Sequence, residues 1–328
     1  MGMQRSLPAE RTLVRGHPRV DAREILTKYG TVIALLLLVA VASFVSPRFL
    51  SPVNLMNVLR QTAIVGVLGI GMTFVILTAG IDLSVGATLA LSAVLLAGTL
   101  EATGNIWLAM AAALLAGAVV GLANGLGVTL GRVQPFVMTL GMLGIARSLA
   151  FLYTKGEPIP VLDMGFLKLG IGYLWRIPVP SVIFLALLAV AAFALRYTRF
   201  GRSVYAVGSN EEAARLSGIG VGRDKTLVYV ISGLTAAAAA ILYCAQFAAA
   251  PAIAGEGYEL DAIAAVVVGG TSLFGGQGGV VGTFIGALII GILSNALNLM
   301  GVSPFAQPLA KGALIILAVL IVGRGQRA

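Results

Sequence analysis

The chain has 328 residues with 59% apolar and only 11% charged side chains, a mean hydropathy of +0.99 and a net charge of +9. A soluble domain carries roughly 25% charged residues, so a water-soluble fold of this size would lack the polar surface to cover itself. The excess of Lys and Arg sits in the N-terminal tail and between apolar runs, without interleaved aromatic residues, and reads as a membrane-topology signal rather than a nucleic-acid footprint. The single cysteine, Cys244, excludes an intrachain disulfide and a thiolate metal site, and the single histidine, His17, lies in the polar tail.

Residues 1–28 form a polar, Arg-rich tail, expected to be disordered or to lie on the membrane surface; residues 29–323 form the membrane domain, and 324–328 a short polar end. The first apolar run lacks a following small-residue cleavage site and is read as a retained helix. A spanning helix needs about 20 mostly apolar residues. Candidates in chain order are Tyr29–Val45, Gln61–Thr78, Leu83–Leu100, Ile106–Leu130, Val133–Tyr153, Ser181–Leu195, Thr226–Phe247, a short Leu260–Gly270, Val280–Met300 and Pro308–Val322. The fold class is therefore all-α: a polytopic bundle of about ten transmembrane helices. With ten crossings, the basic tail (Arg5 to Lys28), Arg132, the loop 197–225 (Arg196, Arg199, Arg202, Arg215, Arg223, Lys225) and the C-terminal Arg324 and Arg327 all fall on one side, the cytoplasm. Arg48 is the exception. The loop Thr154–Pro180 falls outside.

Three segments carry mechanism. The first, Ala79 to Gly86, places Asp82 at a membrane boundary, where a carboxylate is costly and often functional. Asp82, shared with Ser84, also suits the N-cap of the third helix; Gly80 and Gly86 bracket this helix break. In the second, within the inner loop, Ser209 followed by Glu212 reads as a capping box. Asn210, Glu211, Glu212, Ala213, Ala214, Arg215 and Leu216 read as a short helix closed at Gly218. The third, Gly269 to Gly279, holds six glycines in eleven residues, including Gly269, Gly270, Gly275 and Gly276 around Thr271, and predicts a re-entrant element or a tight inner turn. It lacks the lysine of a phosphate loop. Arg147 is the one clear basic residue inside a span. Asn124, Gln134, Thr139, Gln246, Asn295 and Asn298 are expected mainly to hydrogen-bond between helices. No catalytic triad, His/Cys cluster or P-loop is present, so any ATP-driven motor must lie on another chain. The scarcity of buried carboxylates besides Asp82 and Asp261 weighs against a proton-coupled carrier.

At these segments the chain resembles the membrane permease subunits of bacterial ABC sugar importers of the ribose, xylose and autoinducer-2 type. The match lies in Gly80–Gly86, in Tyr205–Ile219 and in Glu259–Leu273, continuing through Gly282 and Thr283 to Leu297–Gly301, and covers about Thr31 to Gly323. It departs at Gln277, where many relatives look basic, and in its longer tail. The resemblance implies a complex in the bacterial inner membrane: two permease subunits, identical or related; two ABC ATPase subunits docking on the coupling loop at Glu211–Ser217; and a periplasmic sugar-binding protein that delivers substrate. It also implies that the permease itself catalyses nothing and holds no cofactor. A branched-chain amino-acid permease of the same architecture and an ion-coupled secondary carrier are the alternatives.

Overall fold

The computed structural model describes residues 22–303 and 305–313. Its first unit, Met1–Gly30, contributes only the opening turns of helix α1 (Ala22–Val45); the other unit begins at Thr31. Hydropathy places the start of this helix at Tyr29, whereas it begins at Ala22 and so includes the charged residues Arg23, Glu24 and Lys28. The remainder of the tail and most of the tenth candidate span lie outside the described residues; 307–313 is helical.

The element order continues with α2 (Pro52–Leu77), α3 (Val85–Thr103), α4 (Ile106–Thr129) and α5 (Pro135–Thr154). The loop after α5 then carries β1 (Ile159–Pro160), a short α6 (Met164–Ile171), β2 (Tyr173–Leu174) and β3 (Ile177–Pro178). Helices α7 (Val179–Tyr197), α8 (Arg199–Ser209), α9 (Glu211–Leu216) and α10 (Val221–Phe247) follow. Last come β4 (Ala249–Ala250), α11 (Tyr258–Val268) and α12 (Val280–Leu299). The strands form two isolated antiparallel pairs, β1 with β4 and β2 with β3.

Local chemistry sets the ends. Pro52 and Pro135 open α2 and α5 at the position where the missing N–H costs nothing. Ser51 Oγ accepts from Asn54 N–H at 3.3 Å, Asn105 Oδ1 from Leu108 N–H at 3.1 Å, and Asp163 Oδ1 from Phe166 N–H at 2.9 Å. Gly104 closes α3 at φ +62°.

Among the described residues, seven helices (α2, α3, α4, α5, α7, α10 and α12) are long and apolar enough to cross a membrane, and α1 adds the apolar stretch Gly30–Val45. In α2, α3 and α10, 67–78% of the apolar window is buried in protein; in α4, α5 and α7 it is 22–28%. The first set is the protein core. The second exposes Leu115, Leu152, Val190 and Phe193, the surface expected against lipid or another subunit. The close α4–α10 contact follows from a small-residue stripe: Gly117, Gly121 and Gly125 recur every fourth residue of α4. A Cβ on each would overlap α10 at Gly233, at Tyr229 and Val230, and at Thr226 respectively.

The eighth expected span is broken. α11 has 11 residues, about 16 Å at 1.5 Å per residue against roughly 30 Å of hydrocarbon. The chain enters it through consecutive turns over 251–257, with Gly255 at φ +67° and Gly257 at φ +80°.

Candidate functional site

The loop 197–225 carries two short helices, α8 and α9, rather than one. Sequence reasoning missed α8, whose apolar face (Val204, Val207) is buried and whose N-cap Thr198 accepts from Gly201 N–H at 3.1 Å. The capping box centred on Ser209 is corrected. Ser209 completes α8, its hydroxyl donating to Tyr205 C=O at 2.9 Å. Asn210, in extended backbone at φ −160°, is the N-cap of α9, and its Oδ1 accepts from Ala213 N–H at 2.9 Å. Gly218, at φ +80°, ends α9 as expected, with Ile219 N–H reaching Ala214 C=O at 3.1 Å.

Ala214 anchors α9 by packing with Val207 and Val221. Glu211 holds it to α10: its carboxylate accepts from Lys225 at 2.5 Å and from Arg215 at 2.9 Å. The Lys225 hydrogen bond, ahead of the opposing desolvation, keeps the Glu211 carboxyl below the usual glutamate range. The opposite face of α9 is free. Glu212, Ala213 and Leu216 are exposed, and Leu216, 84% accessible, is a large apolar side chain at the apex of a polar loop.

This loop is joined directly to the core at a three-way backbone junction. Gly276 N–H donates to Leu77 C=O at 3.0 Å, tying the glycine-rich segment to the end of α2. Gly208 of α8 lies over the same bond: a Cβ there would overlap Leu77 C=O and come within 2.6 Å of Gly276 N. Tyr205 OH donates to Gly278 C=O at 2.8 Å. Gly275 (φ +85°) and Gly276 (φ +70°) occupy backbone that other residues reach only with strain. The glycine segment is thus a tight turn that lets three backbones meet. A second irregular stretch lies upstream, at 251–257. Thr271 Oγ1 closes the turn by accepting from Gly279 N–H at 3.3 Å; Gly269 packs on Gly282, and Gly270 takes φ +89°.

Beyond the junction, Asp82 is buried at 2% exposure. Its carboxylate accepts from Ser84 N–H (3.0 Å), Ser84 Oγ (2.6 Å) and Ser232 Oγ of α10 (2.7 Å), while Asn124 of α4 donates to Ser84 Oγ at 2.9 Å. The expected cap is therefore corrected. Ser84 occupies the N-cap position of α3 without a side-chain bond to the helix, and Asp82 instead clamps the α2–α3 break to α10 and, through Ser84, to α4. Ser232 is the twelfth residue of α10, about 16 Å along its axis, so the clamp is deep. Thr139 of α5 adds a bond to Ile81 C=O at 3.2 Å. Gly80 leaves room for Tyr229 OH, and Gly86 for Glu259 and the Gly255 carbonyl.

Arg147 also has a definite place. Its Nη1 donates to Ala252 C=O at 2.7 Å and Ala254 C=O at 2.8 Å, capturing carbonyls that the turns of 251–257 leave without helical partners. Asn54 and Asn295 pair reciprocally at 2.9 and 2.8 Å, and Asn298 accepts from Gln307 at 2.7 Å. These pairs bear out the interhelical reading. Gln134 occupies the N-cap position of α5 without a side-chain cap bond. Among the described residues no group of three His, Cys, Asp or Glu could hold a metal ion.

Residues 54–322 match the family described as branched-chain amino acid transport system / permease component. The chain is 47% identical over 305 residues to the ribose import permease protein RbsC of Bacillus subtilis, covering 92% of this chain and 95% of that one. It is 46% identical to the Escherichia coli K12 ribose import permease over 92% and 95% of the two chains. It is 36% identical to the galactose/methyl galactoside import permease protein MglC of Escherichia coli K12 over 89% and 93%. No solved structure matches. With the three motifs in place on one polytopic helical core, the chain belongs to this permease family, together with the ribose and galactose import permeases.

Proposed function

We propose that the chain is the membrane-spanning subunit of a binding-protein-dependent ABC importer that moves a monosaccharide across the bacterial inner membrane. ATP hydrolysis takes place on a partner ATPase, and substrate arrives from a periplasmic binding protein. A second permease subunit completes the channel. The cargo class rests on the relatives, which are named for ribose, galactose and arabinose. The observation that carries the coupling role is the Gly276 N–H to Leu77 C=O bond covered by Gly208. Through it, a push on α9 reaches the end of α2 and the Asp82 clamp without a flexible linker. The free face of Glu212, Ala213 and Leu216 is where the ATPase docks, and the chain holds no nucleotide itself. ATP drives the cycle because the closed ATPase dimer favours one arrangement of this loop over another.

The test is to purify the native complex through this chain and reconstitute it. Sugar uptake that needs ATP, the co-eluting ATPase and a binding protein supports the reading. Sugar accumulation by liposomes holding this chain alone, or uptake that a protonophore abolishes at constant ATP, overturns it. Uptake of branched-chain amino acids instead would move the chain to the other branch of its family.

A further inference from the structure

A cavity of about 270 Å³ lies between α2, the last turn of α10, α11, α12 and residues 307–313. It sits in the outer half of the bundle. Gln246 is next to last in α10, which rises from the inner loop, and Ser294 is the fifteenth of 20 residues in α12, which rises from the inner glycine turn. Its walls are unusually polar for membrane depth. Gln61, Thr62, Gln246, Ser294 and Gln307 face it, together with the ion pair between Lys311 Nζ and Asp261 Oδ2 at 2.7 Å. Two of its buried oxygens, Thr62 Oγ1 and Gln246 Oε1, have no hydrogen-bond partner among the described residues, and Thr62 is 2% exposed. Buried polar groups without partners are rare, and each calls for an explanation. The rings of Phe247 and Tyr258, with the apolar Ile64, Val65 and Ile290 and with Gly291, complete the lining.

The chemistry selects the ligand class. The volume lies just below the roughly 300–1,000 Å³ usual for small-molecule sites, room for a single small ring. Amide and hydroxyl groups offer donors and acceptors without net charge, since Asp261 and Lys311 neutralise each other, and aromatic rings in the wall suit the C–H face of a sugar ring. A zwitterionic amino acid would have to break the ion pair to be held by charge, and a metal ion would find one carboxylate.

We propose that this cavity is the first station of the monosaccharide inside the permease, where the oxygens of Thr62 and Gln246 take up sugar hydroxyls beside the intact Asp261–Lys311 pair. The inference rests on the import reading above and adds the place and residues of contact.

Two measurements on the reconstituted complex test it. Gln246→Leu and Thr62→Val should each raise the KM for sugar uptake roughly tenfold, the loss of about one good hydrogen bond (1.4 kcal/mol), with basal ATPase activity and binding-protein docking unchanged. Ser294→Cys should react with a hydrophilic thiol reagent, and saturating binding protein with sugar should protect it. The native Cys244 is fully buried and stays unlabelled. Wild-type KM in both uptake variants, or a Ser294→Cys thiol that the reagent reaches equally with and without sugar, overturns the station while wild-type uptake leaves the import reading standing. A wild-type complex that imports no monosaccharide overturns both.

Discussion

Replacing Gly208 by alanine tests the mechanical link between the coupling loop and the core. The added Cβ meets backbone on both sides, the Leu77 carbonyl and the Gly276 amide nitrogen, so no side-chain rotation relieves it. The 3.0 Å Gly276 N–H to Leu77 C=O bond must lengthen or break. Losing it costs about 0.5–1.5 kcal/mol, and overpacking a tight contact adds roughly 1–3 kcal/mol, so a destabilisation of about 2–4 kcal/mol is expected. The effect is local. Helix α9 keeps its own cap at Asn210, its Ala214 anchor and its Glu211–Lys225 bond. In proteoliposomes holding the native complex, Gly208→Ala should therefore retain the ATPase but uncouple it, with ATP hydrolysis continuing while sugar moved per ATP falls severalfold. Gly222→Ala is the control, because a Cβ there meets only Thr129 at 3.9 Å and alanine favours a helix interior by up to about 1 kcal/mol. Wild-type stoichiometry and thermal stability in Gly208→Ala would refute the link.

Three further outcomes follow from the same geometry. Asp82→Ala should lower the Tm sharply, because it orphans the Ser84 and Ser232 hydroxyls and the Ser84 N–H at about 1–3 kcal/mol per buried group. Asp82→Asn keeps an acceptor for Ser84 and offers an N–H that Ser232 Oγ can accept, so it should lie close to wild type; equal losses in the two variants would contradict the clamp. Arg147→Leu should loosen the turn segment 251–257, read as faster hydrogen exchange there with α5 still inserted, and Arg147→Lys should restore only part of the protection, since a strongly hydrated ammonium on a flexible stem replaces the preorganised guanidinium. Glu211 has a folded-state pKa below its unfolded value, so its contribution is present above the ordinary glutamate pKa of about 4.3 and is lost as pH falls through the lower folded value. The protection of the Ala213–Gly218 amides, taken relative to the intrinsic exchange rate at each pH, should fall across that acidic window and stay flat from about pH 5 to 8.

Much of this fold is legible in the sequence because hydropathy is a strong signal for a chain in lipid. The spans α2, α3, α4, α5, α7, α10 and α12 lie within about five residues of their expected bounds, except the start of α2, where Ser51-Pro52 opens the helix among polar residues that hydropathy passes over. The three motif segments stand out in the sequence, and their meeting does not. Contacts such as Gly276 to Leu77 join residues 199 positions apart (276 less 77), which no local pattern encodes. α8 escapes hydropathy because polar and apolar residues balance along it and its signal is one-sided, Val204 and Val207 against Arg199 and Arg202. The broken crossing escapes because Ala248 to Ala254 is nearly all apolar; Pro251, Gly255 and Gly257 are the available warning, and Arg147 the cue that free carbonyls lie nearby. Asp82 reads as a cap because Ser232, its partner on α10, is 150 residues away.

Whether α9 is where an ATPase drives this chain is tested most directly at Leu216. A photoreactive benzophenone placed on Leu216→Cys, in membranes holding the native complex, should cross-link this chain to the ATPase subunit, with a yield that changes when ATP is added. Adducts confined to lipid or to the binding protein, with the ATPase still co-purifying, would contradict it.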